Sequence, residues 1–157
     1  MDQIDPLNQV AEFHRTFKHP IMEDPVIPDE KRCKLRVELI SEELKELEQA
    51  IKDKDIVEVA DALCDIQYVL SGAVLEFGLG PKFKSLFDEV QRSNMSKACK
   101  TREEAEATVN YYKTEKQTES YIKESDGLYL VYRTADNKTL KSINYSAADL
   151  KSILDKK

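Results

Sequence analysis

The stretch that decides the fold runs from Arg36 to Phe77 and reads RVELISEELKELEQAIKDKDIVEVADALCDIQYVLSGAVLEF. Its apolar residues recur at intervals of three and four, which predicts two helices separated by a break near 52–55. On the first helix, an apolar arc of about 200° includes Glu43 and Glu46, with Glu42 at its edge. Acidic residues within an apolar arc, rather than opposite it, are the main indication of function.

The second helix carries three charged residues before its last turn, Glu58, Asp61 and Asp65. Their spacings of three and four place them on one face. Gly72 continues this stripe, where it would leave space for a ligand. The other faces are apolar, so the helix is expected to be buried on nearly all sides.

Bare carboxylates in an apolar interior are costly, so these acids should be protonated, paired or bound to metal. Within the two helices only Arg36 lies on the apolar arc as a basic partner. Oxygen ligands suit Mg²⁺, with Mn²⁺ as a possible substitute, and helix bundles build such sites from acids on facing helices. The alternative is a solvated acidic face. The predicted metal ligands are Glu43, Glu46, Glu58 and Asp61.

The pattern Glu42-Glu43-x-x-Glu46, then eleven residues, then Glu58-x-x-Asp61 resembles the EExxE…ExxD signature of the all-α nucleotide pyrophosphohydrolases, the MazG-type enzymes. A lone EExxE is common in helices, whereas the paired signature is much more specific. VAEFHRTF at 10–17, DIQYVLSGAVLEFGL at 65–79 and FDEVQRSNMSK at 87–97 are similar to the phosphoribosyl-ATP pyrophosphohydrolase-like branch. The resemblance covers residues 8–100 and extends weakly to the tail.

This resemblance implies a mainly α fold, an all-α NTP pyrophosphatase-type helical bundle, to which the strand-like pattern near the C-terminus adds a small β-hairpin. Residues 1–100 would form the helical core, and 101–157 an extension of helix, hairpin and short helix packed on it. The implied activity is Mg²⁺-dependent hydrolysis of a (deoxy)nucleoside triphosphate or related nucleotide to the monophosphate and pyrophosphate. A homodimer or dimer of dimers is also implied.

Several further residues receive roles in the predicted site. Asn94 and Lys97 are assigned to phosphate or ribose by the resemblance, and Arg92 is a less certain substrate contact. His14 is either a core histidine or a contact to the substrate base. Glu42 or Asp65 would be an additional metal ligand, a hydrogen-bond acceptor that orients the ligands, or the general base. The predicted catalytic set is Glu42, Glu43, Glu46, Glu58, Asp61 and Asp65.

The remaining elements follow from local patterns. Phe83, Leu86, Phe87 and Val90 are expected to point into the core. Lys141 and Tyr145 could reach a substrate, but the structural interpretation is favoured for them. The expected elements are a helix at 5–18 capped by Asp5-Pro6, an extended connection at 20–28, a helix at 81–92, a polar loop at 91–97, a broken surface helix at 102–124, strands at 128–133 and 139–145, and a helix at 147–155.

Composition limits the function classes. Charged residues are 34% and hydrophobic residues 41% of the 157 residues, which is typical of a globular chain. A net charge of −6 argues against nucleic acid or an anionic membrane as the main partner. Cys33, Cys64 and Cys99 lack CxxC spacing and are expected to be reduced thiols of a cytoplasmic protein. Neither a signal peptide nor a membrane span is expected.

Three alternatives to the general activity stay open. The substrate would be phosphoribosyl-ATP itself, which is a step of histidine biosynthesis, or dUTP or dCTP in a house-cleaning reaction. In the third, the chain is a non-catalytic helical module that binds metal or a partner.

Overall fold

The computed structural model describes residues 4–156 and is mainly helical, with one two-stranded antiparallel sheet, so the predicted fold class is confirmed. The described residues form two compact units, an N-terminal unit up to Lys84 and a C-terminal unit from Ser85 onward. This division falls inside a helix and does not test the domain boundary predicted after residue 100. The elements are α1 Pro6–Phe17, α2 Glu30–Asp53, α3 Ile56–Glu76, a 3₁₀ turn Gly80–Lys82, α4 Phe83–Met95, α5 Arg102–Lys116, β1 Ser120–Ser125, β2 Leu128–Arg133 and α6 Leu150–Leu154.

The helix ends follow from capping residues that the sequence displays. Pro6 opens α1, and the Asp5 side chain accepts a hydrogen bond from the Asn8 backbone N–H. α2 ends where Lys54 takes a left-handed conformation, φ 58°. Asp55 then caps α3 by accepting hydrogen bonds from two backbone N–H groups of its first turn. The break predicted near 52–55 is therefore confirmed.

A buried ion-pair network joins α2 to the end of α3. The Glu76 carboxylate is 1% exposed and accepts hydrogen bonds from Arg32 and Arg36 of α2. Burial alone would raise the pKa of Glu76, but the hydrogen bonds and charges of the two arginines outweigh it and hold the pKa below its usual 4.5. The carboxylate is therefore ionised at neutral pH, and the network fixes α2 against α3.

The same network reaches α1 through His14. Its Nδ1 lies 2.9 Å from the Pro20 carbonyl oxygen and its Nε2 lies 3.4 Å from Nη2 of Arg36. A Cβ atom at Gly72 would lie 2.7 Å from Nη1 of Arg36 and 3.1 Å from Nε2 of His14. Gly72 therefore makes room for these protein side chains rather than for a ligand alone, which corrects the earlier expectation.

α3 is less buried than its composition indicates. The prediction that it is buried on nearly all sides is wrong, because α1 and α2 cover it most fully near its end, where Ser71, Gly72 and 74–76 are buried. Its first half is open to water, and Ile56 is 76% exposed. No single helix among residues 4–156 has both the length and the apolar character to cross a membrane. α3 and the stretch 80–95 together have that length and composition, but the chain is bent between them.

The hairpin of the C-terminal unit pairs different strands from those predicted. β1 and β2 are antiparallel, and Asp126 and Gly127 connect them with φ values of 51° and 76°. Asp-Gly is a strong signal for such a turn, but the expectation of a broken helix over 102–124 obscured it. The second strand predicted at 139–145 is reduced to an isolated bridge between Thr139 and Tyr132.

Two other helix predictions need correction. α4 continues to Met95, so Arg92 and Asn94 lie on its last turns rather than in a loop. Of the four residues expected to point inward, Leu86 is buried, whereas Phe87 is 62% exposed and Val90 is also exposed. α6 is shorter than the predicted 147–155 because Asp149 caps its start.

We expect the Glu76→Gln substitution to lower the free energy of unfolding by about 3 kcal/mol, because it leaves the buried Arg36 guanidinium without its counter-charge. Urea unfolding at pH 7 measures this loss. The difference in the free energy of unfolding between the wild type and the variant should be present above pH 4.5 and should shrink as the pH falls below it, since the folded-state pKa of Glu76 is depressed.

The matched control is Lys34→Gln, which breaks the exposed ion pair with Glu38 on the same helix. An exposed pair contributes at most about 1 kcal/mol. Equal losses in the two variants would show that the Glu76 network does not hold the N-terminal unit together.

Candidate active site

The acids of the predicted site lie on two helices that pack against each other. α2 carries Glu42, Glu43 and Glu46, and α3 carries Glu58, Asp61 and Asp65. The expectation that they occupy an apolar interior is wrong in this chain. Glu43 and Asp65 are half-buried, and the four others, Glu42, Glu46, Glu58 and Asp61, are exposed.

The exposure has a local cause. Between residues 37 and 70 only Ala50 and Ala62 are buried. These are small side chains, so the longer acidic side chains extend beyond them to water. The desolvation argument that pointed to this site therefore holds only in part, at the half-buried Glu43, where charge crowding adds to it.

Charge crowding is evident at Glu43. Partial burial is the largest cause that raises the pKa of Glu43 above 4.5, and the neighbouring charges of Asp65, Glu46, Glu42 and Asp61 raise it further. Asp61 and Asp65 come from α3, so charges from both helices act on the Glu43 carboxylate. Glu58 is not among the named charges.

The chemistry of these side chains suits a hard divalent cation. The charges that raise the pKa of Glu43 all come from carboxylates, and carboxylate oxygens are the ligands that such a cation takes. Within the described residues, however, no three His, Cys, Asp or Glu side chains are arranged closely enough to hold a metal ion. The ligand set Glu43, Glu46, Glu58 and Asp61 therefore stays a prediction.

A groove of about 380 Å³ opens between α1, α2 and α3. Phe13 and His19 stack along it with ring centres 5.7 Å apart and planes 11° apart. Tyr68 meets Phe13 edge to face at 5.6 Å. Apolar contact comes from Leu35 and Leu39 of α2. The shape and the aromatic side chains suit a flat ring.

His14 lies in the wall of this groove but is 3% exposed. Burial is the main cause that lowers its pKa, and the nearby Arg36 charge lowers it further, although the hydrogen bond to Pro20 opposes both. A neutral ring that donates from Nδ1 to the Pro20 carbonyl can accept from Arg36 at Nε2. These are the contacts of the core histidine that was one of its two interpretations.

Sequence reasoning missed the ion-pair network behind that histidine. Arg32 and Glu76 were not singled out, although an acid that ends an otherwise apolar run, VLSGAVLE at 69–76, is an available signal. Phe13 and His19 were also missed as groove residues. Each lies close in sequence to His14, but only the return of the chain after α1 brings their rings together.

The predicted phosphate and ribose contacts belong to the C-terminal unit, whereas the acids belong to the N-terminal unit. Arg92 is engaged by Glu89, with two nitrogen–oxygen distances of 2.7 Å, and it donates to the Ala147 carbonyl at 3.0 Å. Its hydrogen bond is the main cause that holds the pKa of Glu89 at about 2. Asn94 is exposed and accepts from Nζ of Lys97 at 2.8 Å. Arg92 thus has structural partners, whereas the exposed Asn94 and the half-buried Lys97 are hydrogen-bonded to each other.

A family model described as phosphoribosyl-ATP pyrophosphohydrolase matches residues 10–94, which include both acidic helices and the groove. The chain belongs to the phosphoribosyl-ATP pyrophosphohydrolase family. Membership supports a nucleotide pyrophosphohydrolase-type function. The uncharacterized protein L479 of Acanthamoeba polyphaga mimivirus is 24% identical, over 93% of this chain and 94% of the relative. That similarity therefore reaches into the C-terminal unit, beyond the family match.

We expect Mg²⁺ or Mn²⁺ at millimolar concentration to raise the melting temperature of this family member near pH 7. The pKa of Glu43 is raised, so the metal-free protein should lose stability as the pH rises above 4.5 through the folded-state pKa. A bound cation would remove that loss. Melting temperatures recorded against pH, with and without metal, measure both effects.

Glu43→Gln is the matched variant. Without metal near pH 7 it should be more stable than the wild type, because one of the crowded charges is gone. The cation site at these acids would be contradicted if divalent metal left the wild-type melting temperature unchanged and Glu43→Gln were no more stable than the wild type.

Proposed function

We propose that the chain hydrolyses a (deoxy)nucleoside triphosphate or a related nucleotide to the monophosphate and pyrophosphate, with Mg²⁺ as cofactor. The observation that carries this proposal is the crowding of carboxylates from α2 and α3 around Glu43, inside the stretch that matches the family. Mn²⁺ is a possible substitute. Glu43, Glu46, Glu58 and Asp61 would hold the cation.

The reaction is an in-line displacement at the α-phosphorus. A water oxygen forms a bond to that phosphorus, the bond to the bridging oxygen breaks, and pyrophosphate leaves. Bound Mg²⁺ would neutralise phosphate charge and orient the groups. Glu42 or Asp65 would accept the proton of the attacking water, because each flanks the proposed ligands on its helix. Asn94 and Lys97 would contact phosphate or ribose, with Arg92 as a weaker assignment.

The groove beside α1 would take the base of the nucleotide. Phe13, His19 and Tyr68 offer aromatic surface, and a planar base stacks favourably on such rings. His14 would act there by supporting Arg36 and the wall of the groove, or by direct contact with the base. Discrimination between bases would depend on the polar groups that the groove presents.

A second candidate substrate is phosphoribosyl-ATP, which is favoured by the description of the matching family. It contains the same type of phosphoanhydride, so the same acids would serve. A non-catalytic helical module is the alternative of a different class. It predicts metal-dependent stabilisation without turnover of any nucleotide.

Turnover should fall by more than about a hundredfold in Glu46→Gln and in Asp61→Asn. Substitution of residues that merely hydrogen-bond to metal ligands already lowers metal affinity or activity by about 10- to 100-fold. Pyrophosphate release from the canonical and deoxy nucleoside triphosphates and from phosphoribosyl-ATP, each with Mg²⁺, measures the loss and ranks the substrates. Both variants should melt at or above the wild-type temperature without metal, because each removes one negative charge from a crowded site.

Glu48→Gln is the control, since Glu48 is an exposed acid on the same helix and lies opposite the apolar arc. It should keep wild-type turnover. Undiminished activity in Glu46→Gln or Asp61→Asn would remove that residue from the catalytic set. Absence of turnover in the wild type across the whole panel would favour the non-catalytic module.

We further propose that two copies of the chain associate through α2 and α3. Each helix carries exposed apolar residues seven positions apart, which places them on one stripe because seven residues make two helical turns. Exposed apolar surface of this extent is typical of interaction sites. The stripes are Val37, Leu44 and Ile51 on α2, and Ile56, Leu63 and Leu70 on α3.

Leu63→Glu should convert a dimer, or a dimer of dimers, into a smaller species, because it introduces a charge into the proposed apolar contact. Light scattering after size-exclusion chromatography measures the mass. The control is Ile4→Glu, which changes an exposed apolar residue outside these helices. A wild-type chain that is monomeric at micromolar concentration would contradict the proposal.

A further inference from the structure

Two lysines and a tyrosine come together within the C-terminal unit. The Tyr145 hydroxyl lies 3.0 Å from the Ser93 hydroxyl of α4. Nζ of Lys141 lies 4.3 Å from the centre of the Tyr145 ring. On the neighbouring position of α4, Asn94 holds Nζ of Lys97 at 2.8 Å. Tyr145 is thus placed between Lys141 and the helical turn that positions Lys97.

These two lysines differ from the arginines of the same unit. Arg92, Arg102 and Arg133 are each paired with a carboxylate on their own element or turn. For Lys97 and Lys141, no carboxylate oxygen of residues 4–156 lies within the 4.0 Å of an ion pair. Two positive charges therefore remain near one tyrosine hydroxyl without an anionic partner from the described chain.

The state of Tyr145 agrees with this arrangement. The hydrogen bond with Ser93 is the largest cause that lowers the pKa of the Tyr145 hydroxyl, and the charges of Lys141 and Lys97 lower it further against the opposing effect of burial. The Ser93 hydroxyl can act as the donor in that hydrogen bond. The phenolic proton is then free to be donated to another oxygen.

Lys141 is also held in place. Its backbone N–H donates to the Tyr112 hydroxyl at 3.2 Å. Lys141 and Tyr145 line an open groove of about 460 Å³ together with Tyr111, Tyr112, Ser142 and Ile143, so the named lining includes no acid. Because Lys141 is exposed, its ammonium group beside the Tyr145 ring is accessible to an anion from solution.

We propose that Lys97, Lys141 and Tyr145 bind a phosphate group of a polyphosphate, that of a nucleotide or of inorganic pyrophosphate. The lysines would balance the charge and the phenol would donate a hydrogen bond, as charge-assisted contacts to phosphate require. That the anion is the substrate or its product rests on the proposed function, which already gives Lys97 such a contact. Lys141 and Tyr145 are thereby moved from the structural roles expected of them to binding roles.

Calorimetric titration of the full chain with inorganic pyrophosphate tests the site without any need for turnover. Lys141→Gln should weaken binding by about tenfold, the effect of one lost hydrogen bond to a charged group. Tyr145→Phe should weaken it less, because only the hydroxyl is removed. Lys138→Gln, an exposed lysine three positions earlier, should bind like the wild type. Lys141→Arg keeps the charge and should retain most of the affinity.

A second titration with a non-hydrolysable nucleoside triphosphate analogue distinguishes the two sources of phosphate. If Lys141→Gln weakens the analogue but not pyrophosphate, the site holds a nucleotide phosphate. If it weakens both, the site also accepts the product. The proposal is overturned if Lys141→Gln binds both ligands as tightly as the wild type does. It is also overturned if Lys141→Arg loses as much affinity as Lys141→Gln.

Turnover of the same variants separates this inference from the proposed function. If the wild type releases no pyrophosphate from any nucleotide while Lys141→Gln still loses affinity, the proposed function fails and the anion site stands. If the wild type is active and Lys141→Gln matches Lys138→Gln in affinity and in KM, the anion site fails and the proposed function stands. Because Lys141 is exposed, its substitution should not change the melting temperature.

Discussion

The N-terminal unit depends on one buried carboxylate. Glu76 ends α3 where that helix is most enclosed, and it is compensated by Arg32 and Arg36 from α2. A buried ion pair contributes little net stability over an apolar contact, but loss of one partner is severe. The arrangement therefore imposes a register between the helices, because other registers would leave a charge buried alone. His14 extends this constraint to α1, and Gly72 supplies the space that the Arg36 and His14 side chains need.

The acids that carry the proposed chemistry lie outside this enclosed region. Between residues 37 and 70 the helices bury little besides Ala50 and Ala62, so most of these carboxylates are exposed, and Glu43 and Asp65 are half-buried. This separates two kinds of acid on α3. The one at its end is neutralised by arginines of the chain, whereas Asp61 and Asp65 near its middle act on Glu43 of α2, where the cation is proposed. The exposed apolar stripes of the same helices suit a second copy of the chain.

The C-terminal unit is organised by polar contacts around a small apolar cluster of Cys99, Ala105, Val131 and Leu140. Glu104 accepts hydrogen bonds from the Lys100 backbone and the Ser142 hydroxyl, which tie the segment after the hairpin to α5. This segment carries Lys141 and Tyr145. Its position could not be predicted from the pattern of 139–145, because this run makes a single bridge to β2 and is then held by hydrogen bonds to the Glu104 and Thr108 side chains of α5.

The sequence by itself determined the helices, the break at 54–55 and the acids that share a helical face, because periodicity, capping and spacing are local properties. It also determined the family, through the spacing of Glu42, Glu43, Glu46, Glu58 and Asp61. Only the tertiary structure decided which charges are buried. An acid in an apolar run has the same local sequence pattern in both environments. Glu76 is buried and paired with Arg36, forty residues away, whereas Asp61 is exposed to water. That outcome depends on how the helices pack, which no local pattern records.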